Sequence, residues 1–535
     1  MPLQPKSGIF KPADSPFVGL FEQSRAPSFE ERKTVLELLV AKTAHLSHLN
    51  SQVPKRRTGK KHKVSSELRA ELAYTRRWLE FHRALVSPWR QLPPEIMSEI
   101  FILTLKSRGT LDRHEAWIDD RAGTLLLCKI CSTWRAIALR TPALWNTVSI
   151  RPFELLRPLE WVSTWLARSR SIPVHLQLLW DSQAHSDAIN SVASVFVSHI
   201  HHTAELAIDG VFLFGHRLLI ELDEAYPKLT FNPSVGSLNA PLLSTVLAHL
   251  PHGSVWDWIH AACRASPCLT HLTTSHSSLD SLTVANLTDL NWFREVPLSQ
   301  IFRIFEDAPN LKHIDINVDG PGAPSSVQSR FNMKSISKLE ITSYDHLHEF
   351  LGQAEFPSLV NLRICLVDLW PGPTFDSFLS HSSCALTILD FFDCIISPME
   401  TVASLKHDAC ETLESLSVED CSGTRLNADA LLEHLTYHGP ERHLYNPTLR
   451  TIKLRDVGAT DGLLAAIVES RCLSTTSSSG QPRPAPVRLS EVQFSFVDTD
   501  NHREDWKRLR EIEERAKLKI GWPADRIRMH MLSSR

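Results

Sequence analysis

Between residues 279 and 494 one short apolar phrase recurs. Two aliphatic residues are separated by two positions, and a third lies two positions further on. It reads Leu279, Leu282, Val284; Leu311, Ile314, Ile316; Ile336, Leu339, Ile341; and Leu359, Leu362, Ile364. It continues as Leu386, Leu389, Phe391; Leu413, Leu416, Val418; Leu449, Ile452, Leu454; and Leu489, Val492, Phe494. The last two positions of each phrase predict a short strand that turns alternate side chains inward. Leu298 to Asp307 and Asp429 to Leu435 read as helices between phrases, and Leu269 to Leu272 and Thr203 to Ile208 as less regular copies.

Upstream the apolar period changes to three and four. Ser28-Phe29-Glu30-Glu31 has the form of a capping box, and Val35, Leu36, Leu38, Leu39, Leu46 and Leu49 follow at mostly helical spacing. A second helix is expected over Ser66 to Leu85, with Leu68, Leu72, Trp78, Leu79 and Leu85 along one stripe, so the two form an antiparallel pair. Their connection, Lys55 to Lys63, is basic. It reads either as a solvated loop or as an import signal or phosphate contact, and composition favours the loop. A third helix is expected to start at Leu92-Pro93-Pro94-Glu95, with Ile96, Ile100 and Leu103 at i, i+4 and i+7. After a loop around Ser107 to Gly123, Leu126, Leu127, Ile130, Cys131, Trp134, Ile137 and Ala138 predict one further helical face, broken at Thr141-Pro142.

The phrase L-x-x-L-x-L at intervals of 23 to 40 residues is the signature of leucine-rich repeats. No single strand-and-helix unit buries its own apolar face, but stacked units do. An ordinary α/β domain with eight buried strands is the competing reading. The fold expected is therefore multidomain, with helices first and an α/β repeat solenoid after them. Residues 1–28, rich in proline, are expected to be a disordered tail, 29–86 a helical hairpin, 87–150 a small helical motif and 151–535 the repeat domain. Ser474 to Pro486 reads as an insertion loop. Asn501 to Lys519 reads as a charged capping helix with Trp506, Leu509 and Ile512 on one side.

Composition removes several function classes. The chain has 535 residues, 57 Lys and Arg against 60 Asp and Glu, and a net charge of −3, so nothing global calls for nucleic acid or an anionic membrane. No secretory signal and no stretch of eighteen apolar residues is visible, and ten scattered cysteines form no framework; a reduced cytoplasmic or nuclear protein is the expectation. Cys128-x-x-Cys131 lacks a second ligand pair and is expected in the core. His199, His201 and His202, and His346-x-His348-Glu349, are incomplete as ligand sets. With 19 glycines and no phosphate loop or nucleophile elbow, the expectation is a non-enzyme with no catalytic residue, cofactor or metal.

Two blocks within Leu92 to Ile150 resemble an F-box. The first is Leu92-Pro93-Pro94-Glu95-Ile96 with Ile100-Phe101 and Leu103. The second is Leu126 and Cys131-Ser132-Thr133-Trp134-Arg135 with Ile137-Ala138, Pro142 and Leu144-Trp145. The flanks, His82 to Ile96, Trp165 to Leu178 and Ile467 to Arg471, look like the large F-box families of mushroom-forming fungi, in which degenerate leucine-rich repeats follow. The segment between Ile102 and Leu125 is longer than in a compact F-box.

The resemblance implies a substrate-recognition subunit of an SCF-type cullin ubiquitin ligase. Leu92, Pro93, Ile96, Ile100, Leu103 and Trp134 would contact a Skp-family adaptor, and the repeats would hold a substrate protein. The alternative is a non-ligase repeat scaffold whose helical segment only caps the solenoid. Nucleic-acid binding through Lys55 to Lys63 has little support, because no aromatics interleave the charges.

Overall fold

The computed structural model describes residues 10–521 apart from 23–24, 54–64, 107–122, 151–159, 181–185, 211–237, 250–254, 276–277, 281, 283, 319–329, 420–427, 440–444, 473–485, 497–501 and 517. The Lys55 to Lys63 run therefore lies outside the described residues, as do the 107–122 loop and nearly all of Ser474 to Pro486. The chain forms two compact units, Met1–Ser149 with Val162–Ile172, and Ile150–Trp161 with Pro173–Arg535. The two units part between Ser149 and Ile150, and Val162–Ile172 belongs to the first.

The first unit is helical: α1 (Val18–Glu22), α2 (Phe29–Ser51), α3 (Ser66–Leu85), α4 (Pro94–Lys106), α5 (Thr124–Ile130), α6 (Ser132–Arg140) and α7 (Glu160–Ser169), with a short strand β1 (Thr147–Ile150). The capping box at the head of α2 is present: Ser28 Oγ accepts from the Glu31 N–H at 3.3 Å and Glu31 Oε2 accepts from the Ser28 N–H at 2.7 Å. Helices α2 and α3 close on a core of Val35, Leu39, Trp78, Leu79 and Leu85. Leu36 and Leu38 were expected on that apolar face and instead point to solvent.

The expected disordered tail is a second correction from Phe10 onward, residues 1–9 lying outside the described residues. Phe10 and Leu20 are buried in the same core, and Phe10 stands edge-on to Tyr74 and Phe81 at 5.6 and 5.3 Å. The proline count concealed this. Two buried side chains, each worth roughly 1.5–3 kcal/mol, offset the ordering of a short segment when a prebuilt helical surface receives them.

The second unit is a mixed α/β structure around one large parallel sheet. Its strands are β2 (Val174–Trp180), β3 (Thr203–Gly210), β4 (Thr245–His249), β5 (His271–Thr274), β6 (Asp289–Val296) and β7 (His313–Val318). They continue as β9 (Lys338–Thr342), β11 (Asn361–Cys365), β12 (Ile388–Phe392), β13 (Ser415–Glu419), β14 (Thr451–Val457), β15 (Glu491–Phe496) and β16 (Lys519–Gly521). The small strands β8 (Phe331–Asn332) and β10 (Ala354–Glu355) pair separately. From β2 onward each strand of the large sheet pairs parallel with the next in chain order. Helices on the return paths are α8 (Ser186–His199), α9 (Val255–Arg264), α10 (Leu298–Asp307), α11 (Leu347–Gln353), α12 (Gly372–Ser382), α13 (Pro398–Leu405), α14 (Asp429–Leu435), α15 (Leu463–Cys472) and α16 (Arg503–Ala516).

The register explains the phrase. Leu339, Leu362, Leu389, Leu416, Ile452 and Val492 stand side by side on successive strands. All six are buried, as are Ile341, Ile364, Phe391, Val418, Leu454 and Phe494 two positions on. The intervening residues face out: Arg363 bridges Glu340 at 3.2 Å and Asp390 at 3.3 Å across three strands.

Two expectations fail here. The described residues of Leu279 to Val284 carry no strand, and the strand is β6, carried by Leu287, Leu290 and Trp292. A tryptophan in the third place hides the phrase. The C-terminal segment is not helical throughout, because Ile520 places β16 on the sheet edge beside Val492. Trp506, Leu509 and Ile512 of α16 are buried together, as the spacing predicts.

Candidate functional site

Helix α4 divides its apolar residues between two destinations. Met97 and Phe101, four apart, are each 2% exposed, whereas Ile96 is 49% and Leu103 63% exposed. Ile100 lies half-buried between the two rows. Ahead of the helix, Leu92 is half-buried in extended backbone (φ −70°, ψ 134°) and Pro93 is exposed. The Pro93 carbonyl accepts the first helical hydrogen bond from the Met97 N–H at 3.1 Å. Pro94 opens the helix where no N–H is needed, so the start is fixed without a capping side chain.

Trp134 belongs to both rows. Its ring lies against Phe101 with centroids 4.9 Å apart and planes at 52°, and its outer part remains accessible. The support beneath is polar and specific. Ser98 Oγ and Thr141 Oγ1 lie 2.9 Å apart, tying α4 to the end of α6. Thr124 Oγ1 donates to the Leu144 carbonyl at 2.8 Å, and Trp145 Nε1 donates to the Ala138 carbonyl at 2.7 Å. Arg168 of α7 covers the Trp145 ring at 4.4 Å.

The single helical face expected from Leu126 to Ala138 is two helices. Cys131 is extended (φ −158°, ψ 169°), and its Sγ accepts from the Trp134 N–H at 3.4 Å, so it caps α6. Cys131 is exposed rather than in the core. The break turns Leu126 and Ile130 outward while Leu127, Ile137 and Ala138 stay buried. Cys128 is half-buried, and burial pushes its thiol up, against the pull of Arg168 and Arg135. Trp89 is a further exposed aromatic in the turn before α4. Nothing in its apolar spacing marks it, because it sits outside any helical period.

The other candidates assemble nothing comparable. Burial, and then the neighbouring His201, hold His199 below the usual imidazole range, and the same two causes act on His202. His346 and His348 lie 3.6 and 3.9 Å from Glu349, at the head of a short helix.

One group that the sequence did not suggest is Asp461, His502 and Asp505, whose ligand atoms lie within 4.8 Å of one another. All four carboxylate oxygens already accept hydrogen bonds. Asp461 receives the N–H groups of Glu504 and Asp505, both at 2.9 Å. Asp505 receives Ala465 N–H at 2.7 Å and His502 Nδ1 at 3.1 Å. The group is a reciprocal cap joining α15 to α16.

No protein-family model matches the chain, and no curated protein matches it. Among the described residues no helix is long and apolar enough to cross a membrane.

Proposed function

We propose that the chain is the substrate-recognition subunit of an SCF-type cullin ubiquitin ligase. Its first unit docks on a Skp-family adaptor and its second binds a substrate protein. The observation that carries the reading is the division of α4, in which Met97 and Phe101 satisfy the internal core while Ile96 and Leu103 remain exposed on the same helix. An isolated small helical unit gains nothing from such residues outside. Buried in an interface, each is worth roughly 1.5–3 kcal/mol before association costs. Leu92 and Pro93 add a second anchor ahead of the helix, and Ile100 and Trp134 close the surface at its inner margin.

The resemblance of Leu92 to Ile150 to an F-box selects the adaptor among possible partners. The competing scaffold reading leaves Ile96 and Leu103 without an occupant.

Co-expression with a Skp-family adaptor, followed by size-exclusion chromatography, tests the proposal. The wild-type chain is expected to co-elute with the adaptor. The triple variant Leu92→Ala, Pro93→Ala, Ile96→Ala is expected to elute alone with an unchanged melting temperature. Equal co-elution of both would remove the assigned surface, and absence of co-elution for the wild type would leave the scaffold reading.

A further inference from the structure

Three histidines gather where α8 hands over to β3. His199 ends the helix, and His201 and His202 lie in the one-turn segment Ile200–His202 that follows. Ile200, between them, is 3% exposed and anchors the turn in the core. The Thr203 N–H donates to the Ile200 carbonyl, and Thr203 Oγ1 donates to the His199 carbonyl at 2.9 Å. The backbone that carries the three imidazoles is therefore fixed.

His201 Nε2 and His202 Nδ1 lie 3.1 Å apart, with ring centroids separated by 4.5 Å. The His199 ring stands edge-on to that of His202, centroids 5.2 Å apart. Among the described residues, no hydrogen bond reaches any of the three rings from outside the trio. No thiol or carboxylate accompanies the spacing 199, 201, 202, so the pattern alone does not mark a ligand set. The distances do.

Two imidazole nitrogens that close share either one proton or one metal ion. With Zn–N bonds of about 2.0–2.1 Å, the separation of 3.1 Å sets an N–Zn–N angle of about 100°, near the tetrahedral value. Imidazoles on one such ion place neighbouring ring centroids about 5 Å apart. The observed 4.5 and 5.2 Å bracket that value. A shared proton accounts for one pair of nitrogens and leaves His199 without a part.

We infer that His199, His201 and His202 bind one divalent metal ion of the zinc class. His201 Nε2 and His202 Nδ1 are preset ligands, and a turn of the His199 ring supplies the third. The fourth position opens to water beside the exposed His201. The ion ties the end of α8 to the head of β3. All three ligands belong to the second unit, so the inference requires nothing of the adaptor or substrate readings.

The test is calorimetric titration of the metal-free full chain with zinc chloride, with X-ray absorption at the zinc edge on the loaded protein. The chain has 26 histidines, so the decisive comparison is with the double variant His201→Gln, His202→Gln. The wild type is expected to bind one zinc equivalent more than this variant, with imidazole scattering at about 2.0–2.1 Å. His199→Gln is expected to weaken that equivalent by more than the about tenfold that loss of even an outer-shell partner brings. Without zinc the variants are expected to melt with the wild type, and zinc is expected to raise the melting temperature of the wild type above theirs. Equal zinc stoichiometry in wild type and double variant would overturn the inference. So would unchanged zinc affinity in His199→Gln, because the ion would then sit on an adventitious pair.

Discussion

His82 and Ser15 meet across 67 residues of sequence, with His82 Nε2 2.9 Å from Ser15 Oγ. The other ring nitrogen donates to the Trp78 carbonyl at 2.8 Å, so in the neutral imidazole, which burial favours, Nε2 accepts from the serine hydroxyl. The ring is buried and stacks on Trp78 at 3.7 Å. This pair fastens the segment before α1 to the hairpin.

Burial holds the His82 imidazole below its usual range, despite the opposing bond to Trp78. The unfolded chain therefore takes up a proton that the folded chain refuses. Stability contributed by His82 is complete above about pH 6.5 and is lost as pH falls below it. Thermal melts between pH 8 and 5 should show the first unit weakening over that interval, and His82→Phe should flatten the dependence. An unaltered pH profile in the variant would remove His82 as its source.

The two rows of α4 should separate by assay. Phe101→Ala is expected to cost about 3–5 kcal/mol of stability, because it empties a core site against Trp134. Leu103→Ala should change stability by less than about 0.5–1 kcal/mol, as an exposed position does, while weakening adaptor binding. Chemical denaturation of both variants, beside the co-elution assay, checks the division.

On the outer face of the sheet, Asp315 is directly across from Glu340. Burial, and then the charge of Glu340, push the Asp315 carboxyl up to about 7, against the pull of Lys338 and Arg363. The folded state holds this proton more tightly than the unfolded one. Its contribution is present below the ordinary carboxyl value of about 4 and is lost as pH rises through 7. Asp315→Asn should raise the melting temperature at pH 8 and leave it unchanged near pH 4. Equal shifts at both values would refute the assignment.

Arg471 is buried, and among the described residues no carboxylate pairs with it. Its guanidinium donates to the Leu435 carbonyl at 2.8 Å and to those of Asn446 and Tyr445, both at 3.1 Å. Burial lowers it to about 10, which leaves it charged at neutral pH. Arg471→Met keeps the stem but orphans three carbonyls, and should cost roughly 2–4 kcal/mol in urea denaturation. Arg471→Lys should recover only part, since an ammonium cannot span the three acceptors.

Much of this architecture is legible in the sequence because its signals are local. Ser28 and Glu31 mark the head of α2, Pro94 marks that of α4, and the apolar phrase places seven strands from Ile316 to Phe494. Where the third residue is Ala248 or Trp292 the phrase dissolves, and β4 was missed and β6 misplaced. The candidate docking residues were readable as a row on α4, but which apolar residues of that helix the core would take was not. That depends on Phe101 meeting Trp134, a contact between helices whose packing no period encodes. Phe10 and Leu20 were lost among prolines because their burial depends on a surface completed some sixty residues later.

A sheet whose strand order repeats the chain order also has a history written into it. From β2 to β16, each strand finds its partner in the one that came immediately before it in that sheet. During synthesis no strand has to wait for a distant segment to leave the ribosome, and closure entropy is met in small instalments. The second unit can grow by accretion as it is made, each new strand landing on an edge that is already in place.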